Sequence, residues 1–236
     1  MKFNLWAMAG CVFVLAGVPA RSAEPTSATD KPTEPAAPAS TVSAEIEPDV
    51  ESVMRTLEKR MADIRSVQAA FVQEKTLSIL DSKVVIEGTM ALEGERFAWH
   101  VNAPVKYSMV LIDDAMRQWD EDTGRVQRQS LKGNPVFNAV MEQLGHWFSG
   151  RYRQLRSDYA VTLLEREPML RLRFSPRAES AAAKAVKHVT VSFRDGGEYI
   201  HGIAIEDLSG DTTVLTFSDT VVNEPIAPET WRVGAR

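Results

Sequence analysis

The sequence predicts a mainly β protein with helices: an antiparallel meander of short strands, an amphipathic helix at its start and a second helix interrupting it. Three observations carry this. Apolar residues from Val50 to Ile64 follow a helical period, those from Val67 onward mostly alternate, and turn residues recur about every ten positions. A chain of 236 residues, 44% hydrophobic and 25% charged, is long enough for one substantial core and too apolar to be wholly disordered.

The chain opens on a segment expected to lie outside the fold. Met1-Lys2 is a positive start, Leu5 to Val18 is apolar without charge, and small residues follow at Ala20, Ser22 and Ala23. This is the three-part pattern of a secretory signal peptide over residues 1–23, cleaved after Ala20 or Ser22. Ala9-Gly10-Cys11 weakly resembles a lipoprotein cleavage box, but the apolar run continues through Val12 to Ala16, so Cys11 reads as part of that run. Cleavage removes the single cysteine, as suits an oxidising compartment, and removes Lys2 and Arg21 but no acid. The expected location is the periplasm. Residues 24–48 hold Pro25, Pro32, Pro35, Pro38 and Pro48 among Ala, Ser, Thr and Glu, and read as a disordered linker. Residues 49–236 are then the folded unit.

Within it, Asp49 is placed to cap a helix whose inner face is Val50, Val53, Met54, Leu57, Met61 and Ile64, with Arg55, Glu58, Lys59, Arg60 and Asp63 outside. Strands follow: Val84, Ile86, Met90 and Leu92 on one face of the second, Phe97, Trp99 and Val101 on one face of the third, then Tyr107, Met109 and Leu111. Met116–Trp119 and Arg125–Ser130 continue the series. Turns are expected at Asp81-Ser82, Gly94-Glu95, Asp113-Asp114 and Asp122 to Gly124. Asn134-Pro135 opens a helix bearing Phe137, Val140, Met141, Leu144, Trp147 and Phe148, and Gly150 can end it. Strands resume at 159–164, 170–174, 189–193, 199–205 and 212–217, with a short helical or looped insertion at 178–185.

The composition excludes several functions. A net charge of −5 and a pI near 5.5 give no basic surface for nucleic acid. One cysteine rules out a disulfide framework and a cysteine-rich zinc site. No phosphate-binding glycine loop, nucleophile elbow or two-histidine metal helix occurs. His100, His146, His188 and His201 are scattered, and Asp113-Asp114 and Asp120-Glu121-Asp122 sit where turns favour Asp. Catalytic residues, a metal and a cofactor are therefore not expected. What is left is apolar material on a β scaffold. A twisted antiparallel sheet can curl into a half-barrel with an apolar concave face, and the 137–148 helix is broader in its apolar face than one flat contact needs. Core covering explains it; a lid over a cavity for acyl chains also explains it, with Met90, Met109 and Met141 as adaptable lining.

A series of motifs favours the second reading. After the N-terminal helix comes Ser66-Val67-Gln68-Ala69-Ala70-Phe71-Val72-Gln73, then Gly88-Thr89-Met90-Ala91-Leu92, then Phe97-Ala98-Trp99-His100 with Pro104. Later stand Asp207 to Phe217, with the pattern D-x-x-G-x-x-T-x-x-x-F, and Asn223-Glu224-Pro225-Ile226. In content and order these resemble the LolA family of periplasmic outer-membrane lipoprotein carriers, over essentially residues 49–233.

The resemblance implies an incomplete antiparallel barrel of about eleven strands with a helical lid, carrying acyl chains with no covalent chemistry. It implies a lipoprotein or related lipid as cargo, an inner-membrane donor transporter, an outer-membrane acceptor and a monomeric carrier. Phe71, Phe97 and Trp99 match the family's inward aromatics, with Met90 and Leu92 on the strand facing them. The cavity is expected to be lined by these five together with Val84, Ile86, Met109 and Leu111, and the lid to be Phe137, Val140, Met141, Leu144, Trp147 and Phe148. The family's R-P-x-x-F-x-W, whose arginine helps hold the lid, is replaced here by Glu93-Gly94-Glu95-Arg96-Phe97. That departure leaves open a different cargo, such as a glycolipid, or a sensor for an acylated envelope product.

Overall fold

The computed structural model describes residues 47–79, 82–133, 145–194 and 197–234. Helix α1 (Glu47–Met61) begins two residues before the expected cap, so the last two residues of the expected linker are helical. Pro48 falls in the first turn, where a missing N–H costs no hydrogen bond. Lys59 and Arg60 lie in the last turn, favourable to the helix dipole. Val50, Val53, Met54, Leu57 and Met61 are all buried, as their spacing requires.

Eleven strands follow: β1 (Ser66–Leu77), β2 (Ser82–Glu93), β3 (Arg96–Ala103), β4 (Tyr107–Ile112), β5 (Ala115–Asp120), β6 (Val126–Ser130), β7 (Tyr159–Glu165), β8 (Arg171–Pro176), β9 (Val186–Arg194), β10 (Tyr199–Asp207) and β11 (Thr212–Val222). They form one antiparallel sheet in the order β6-β5-β4-β3-β2-β1-β11-β10-β9-β8-β7. Two meanders, β1 to β6 and β7 to β11, are joined down the middle by pairing of β1 with β11, with Phe71 opposite Phe217. Among the described residues β6 pairs with β5 alone and β7 with β8 alone, so the barrel stays open.

Turn chemistry sets the hairpins. Asp113 and Asp114 both adopt left-handed backbone (φ 52° and 53°), the tight turn whose twist matches two antiparallel strands. Gly94 and Gly124 supply positive φ at the neighbouring turns. Ser82, expected in a turn, already belongs to β2, and Asp81 lies outside the described residues. The insertion at 178–185 is a single 3-10 turn, Ala181–Lys184. Residues 145–148 are helical, while the expected helix positions 134–144 lie outside the described residues.

The core fills the concave face. Alternate residues of the strands meet the buried side of α1 together with Trp147, Phe148, Tyr152 and Leu155. The convex face is also covered in one place. The C-terminal segment, with a 3-10 turn at Pro228–Trp231, crosses β2, β3 and β4 and seats Trp231 on Ala91, Ala98 and Val110. His100 Nε2 lies 2.8 Å from the Thr230 carbonyl, Arg96 lies over the Trp231 ring, and the Gly234 N–H donates to Ser108 Oγ. Residues 97–101 of β3 are consequently buried on both faces.

Candidate functional site

Strand register assembles the apolar interior from residues far apart in the chain. Val67, Leu92, Phe97, Leu111 and Met116 stand side by side in one row across β1 to β5. Ala69, Met90, Trp99 and Met109 form the next row, and Phe71, Gly88, Val101 and Tyr107 the third. Phe71 stacks on Trp99 with ring centroids 3.8 Å apart, and Phe97 lies 6.2 Å from Trp99. Gly88 is what allows this stack. A Cβ there would come within 2.7 Å of Phe71 Cζ and closer still to the His100 carbonyl oxygen.

Of the nine expected lining residues, Phe71, Ile86, Met90, Leu92, Phe97, Trp99, Met109 and Leu111 are buried in this one cluster. Val84 is half-buried and packs against it. Two of the expected lid residues are described. Trp147 is fully buried against Phe174 (4.8 Å), Tyr152 (6.1 Å) and Tyr159 (6.1 Å), and Phe148 meets Phe217 at 6.0 Å. Trp147 therefore packs on the β7–β9 part of the sheet rather than on the Phe71–Trp99 stack, while Phe148 sits at the seam between the two meanders, by Val67, Met90 and Phe217. Phe137, Val140, Met141 and Leu144 lie outside the described residues.

Sequence reasoning assigned the interior too narrowly. Leu172, Phe174, Val189, Val191, Phe193, Ile203, Ile205, Leu215 and Phe217 line the second half of the concave face. Their two-residue alternation was as visible as that of β2 and β3. Tyr152 was missed for another reason: it lies in an irregular segment, where no period marks an inward side chain. Its hydroxyl donates to the Trp147 carbonyl (2.7 Å) and pins the helical turn, and burial pushes its pKa well above the usual phenol value. Tyr107, on the inner face beside Asp120, is pushed up by burial and then by that carboxylate.

Among the described residues α1 and the 145–157 segment pack directly on the sheet, and a cavity left between them, lined by Met61, Val67, Met90, Phe148, Phe217 and neighbours, has a volume of about 10 Å³, enough for at most one water. An acyl chain can enter only if part of the cover moves. The cover is α1 and the segment 145–157, and these two are tied to each other over a polar cleft of about 720 Å³. Arg156 Nη1 is 2.7 Å from Glu51, and Arg153 Nε is 3.4 Å from Glu58 and 3.7 Å from Glu51. Gly150, at φ 74°, passes so close to α1 that a Cβ would sit 2.8 Å from Met61 Cβ. Among the described residues no cluster of His, Cys, Asp and Glu could hold a metal, and no helix is long and apolar enough to cross a membrane.

Comparison with known proteins follows the same lines. No curated protein sequence matches the chain. Among solved structures it is similar to a LolA superfamily protein from Nitrosomonas europaea, at 11% identity and a TM-score of 0.39, covering 78% of this chain and 97% of that one. It is similar to the Mycobacterium tuberculosis lipoprotein LppX, at 14% identity and a TM-score of 0.46, covering 77% and 98%. It is also similar to the Pseudomonas aeruginosa MucA/MucB complex, at 14% identity and a TM-score of 0.46, covering 79% of this chain and 61% of that one. The model of the family described as outer membrane lipoprotein carrier protein LolA matches residues 62–233, β1 through the C-terminal segment. With a match over that length, and with an open eleven-stranded antiparallel sheet under a helical cover, this chain belongs to the LolA family.

Proposed function

We propose that this protein is a periplasmic carrier that shields the acyl chains of a lipoprotein, or of a related lipid, between the concave face and its helical cover, and delivers them to the outer membrane. In this reading residues 1–23 direct export, residues 24–46 are a spacer, and an inner-membrane donor and an outer-membrane acceptor stand at the two ends of the transfer. The observation that carries the proposal is the concave face itself: one continuous apolar surface spanning both meanders, under two covering elements that are tied to each other through half-exposed ion pairs.

The energetics suit a carrier. Each CH₂ taken out of water stabilises the complex by ~0.8 kcal/mol, so a chain of about fourteen such groups gains roughly 11 kcal/mol. Against this stands the cost of lifting α1 and the 145–157 segment off a filled interior, which exposes Leu57, Met61, Trp147 and Phe148. The difference can be small enough for release, because a ligand that must open a closed state loses that opening energy from its affinity.

Native mass spectrometry of protein purified from its own periplasm is the test. A co-purifying lipid or lipoprotein is expected, and clean protein that also takes up no diacylated peptide on addition would sink the proposal. Trp99→Ala removes the centre of the lining; about 3–5 kcal/mol of stability is lost with it, and acyl uptake falls with the cavity surface.

A further inference from the structure

The apolar interior contains polar side chains that the packing does not explain, and Gln73 is the one set between two core residues. Gln73 follows Phe71 on the concave face of β1, opposite Ile86 on β2 and Leu215 on β11, both core residues. It is 4% exposed, and its Oε1 has no hydrogen-bond partner among the described residues. A buried carbonyl without a donor costs stability, and a leucine of similar size would cost nothing there.

Its position separates it from the cover. The indole N–H of Trp147 is likewise without an acceptor among the described residues, but it belongs to the segment that must move. Gln73 is held on the central strand, paired on both sides by β2 and β11, and so stays in place when α1 and residues 145–157 lift. An opened cavity then presents Gln73 Oε1 as a fixed acceptor between Ile86 and Leu215.

From this geometry we infer that Gln73 is a polar subsite for the linkage that joins an acyl chain to its head: Oε1 accepts a hydrogen bond from an N–H or O–H donor at that linkage. The subsite rests on the carrier reading given above. It selects chains attached through an amide, or through an ester with an adjacent hydroxyl, over chains attached through a plain ester, which offers acceptors alone. A bond formed to a group otherwise left orphaned in a low-dielectric interior is worth roughly a fivefold to thirtyfold gain in affinity.

Three probes of equal chain length test it on the full protein, by calorimetry below their micelle concentrations: N-palmitoylglycine methyl ester, the palmitoyl ester of methyl glycolate, and monopalmitoylglycerol. Wild type is expected to bind at least one donor-bearing probe about tenfold more tightly than the plain ester, and the probe that gains tells N–H from O–H. Gln73→Leu is expected to bind all three alike, at the plain ester's affinity, with an unliganded Tm equal to or above wild type. Equal affinities in wild type, a preference that survives in Gln73→Leu, or a clear fall in that variant's unliganded Tm would each overturn the subsite. Uptake of the plain ester by both proteins without any preference rejects the subsite alone, whereas failure of all three probes rejects the carrier reading with it.

Discussion

Gly88 shows how much can depend on one missing side chain. The Phe71–Trp99 stack lies over it and β3 runs close beside it, so Gly88→Ala forces backbone to move as well as a ring. A loss of about 2–3 kcal/mol is expected, read as a lower urea midpoint with the slope unchanged. Asp211 works at the far end of the same strands. It accepts hydrogen bonds from the Ser78 N–H and Oγ–H, tying the β1 end to the β10–β11 turn. Those bonds, with Lys75 nearby, hold its carboxyl below the ordinary value of 3.8. A depressed pKa stabilises the fold above the ordinary carboxylate range, and the stabilisation is lost as pH falls through the depressed value. Asp211→Asn should therefore lower Tm at pH 6 and make little difference near pH 2, which paired thermal melts would show. Nothing in the sequence marks these two residues out beyond a motif position and a turn, because each acts through a neighbour distant in the chain.

At the scale of elements, α1 is a cover rather than part of the wall. Its apolar stripe was legible from spacing alone, but Glu58 read as part of a solvated face. With Glu51 it is instead the attachment for Arg153 and Arg156. Half-exposed pairs of this kind contribute only ~0.2–1 kcal/mol each, so Glu51→Ala should barely change Tm while speeding uptake of an acylated probe. Stopped-flow measurement in about 0.5 M salt should give wild type the same acceleration and the variant almost none, since screening removes what the substitution already removed. The C-terminal segment is the opposite case. Trp231 fills a convex-face site over Ala91, Ala98 and Val110, and Trp231→Ala should cost about 3 kcal/mol without altering acyl binding on the other face. Calorimetry for stability and dialysis for binding would separate the two effects.

For the whole molecule, the division is between a wall and its covering. β1, β2, β3 and β11 are paired on both sides, while α1 and the 145–157 segment meet the sheet through side chains. Hydrogen exchange should accordingly be slowest in β1, β2 and β11 and faster in α1, with acyl ligand slowing α1 most. If α1 proved as protected as β1, opening would have to take another route. In the closed state the covering elements pack on the concave face themselves, with Leu57, Met61, Trp147 and Phe148 buried where cargo would stand.

By itself the sequence determined most of the strands and turns and the inward face of β2, β3 and β4, because alternation and turn preference are local properties of a few neighbouring residues. It carried the family as well, through short motifs in a fixed order. The tertiary structure alone decided that β1 joins β11, that the second meander lines the same interior, that Trp147 packs away from the Phe71–Trp99 stack and that β3 is buried on both faces. It alone buried Gln73 between Ile86 and Leu215. These are contacts between segments far apart in the chain, chosen by shape and burial when distant surfaces meet, and no local period records them.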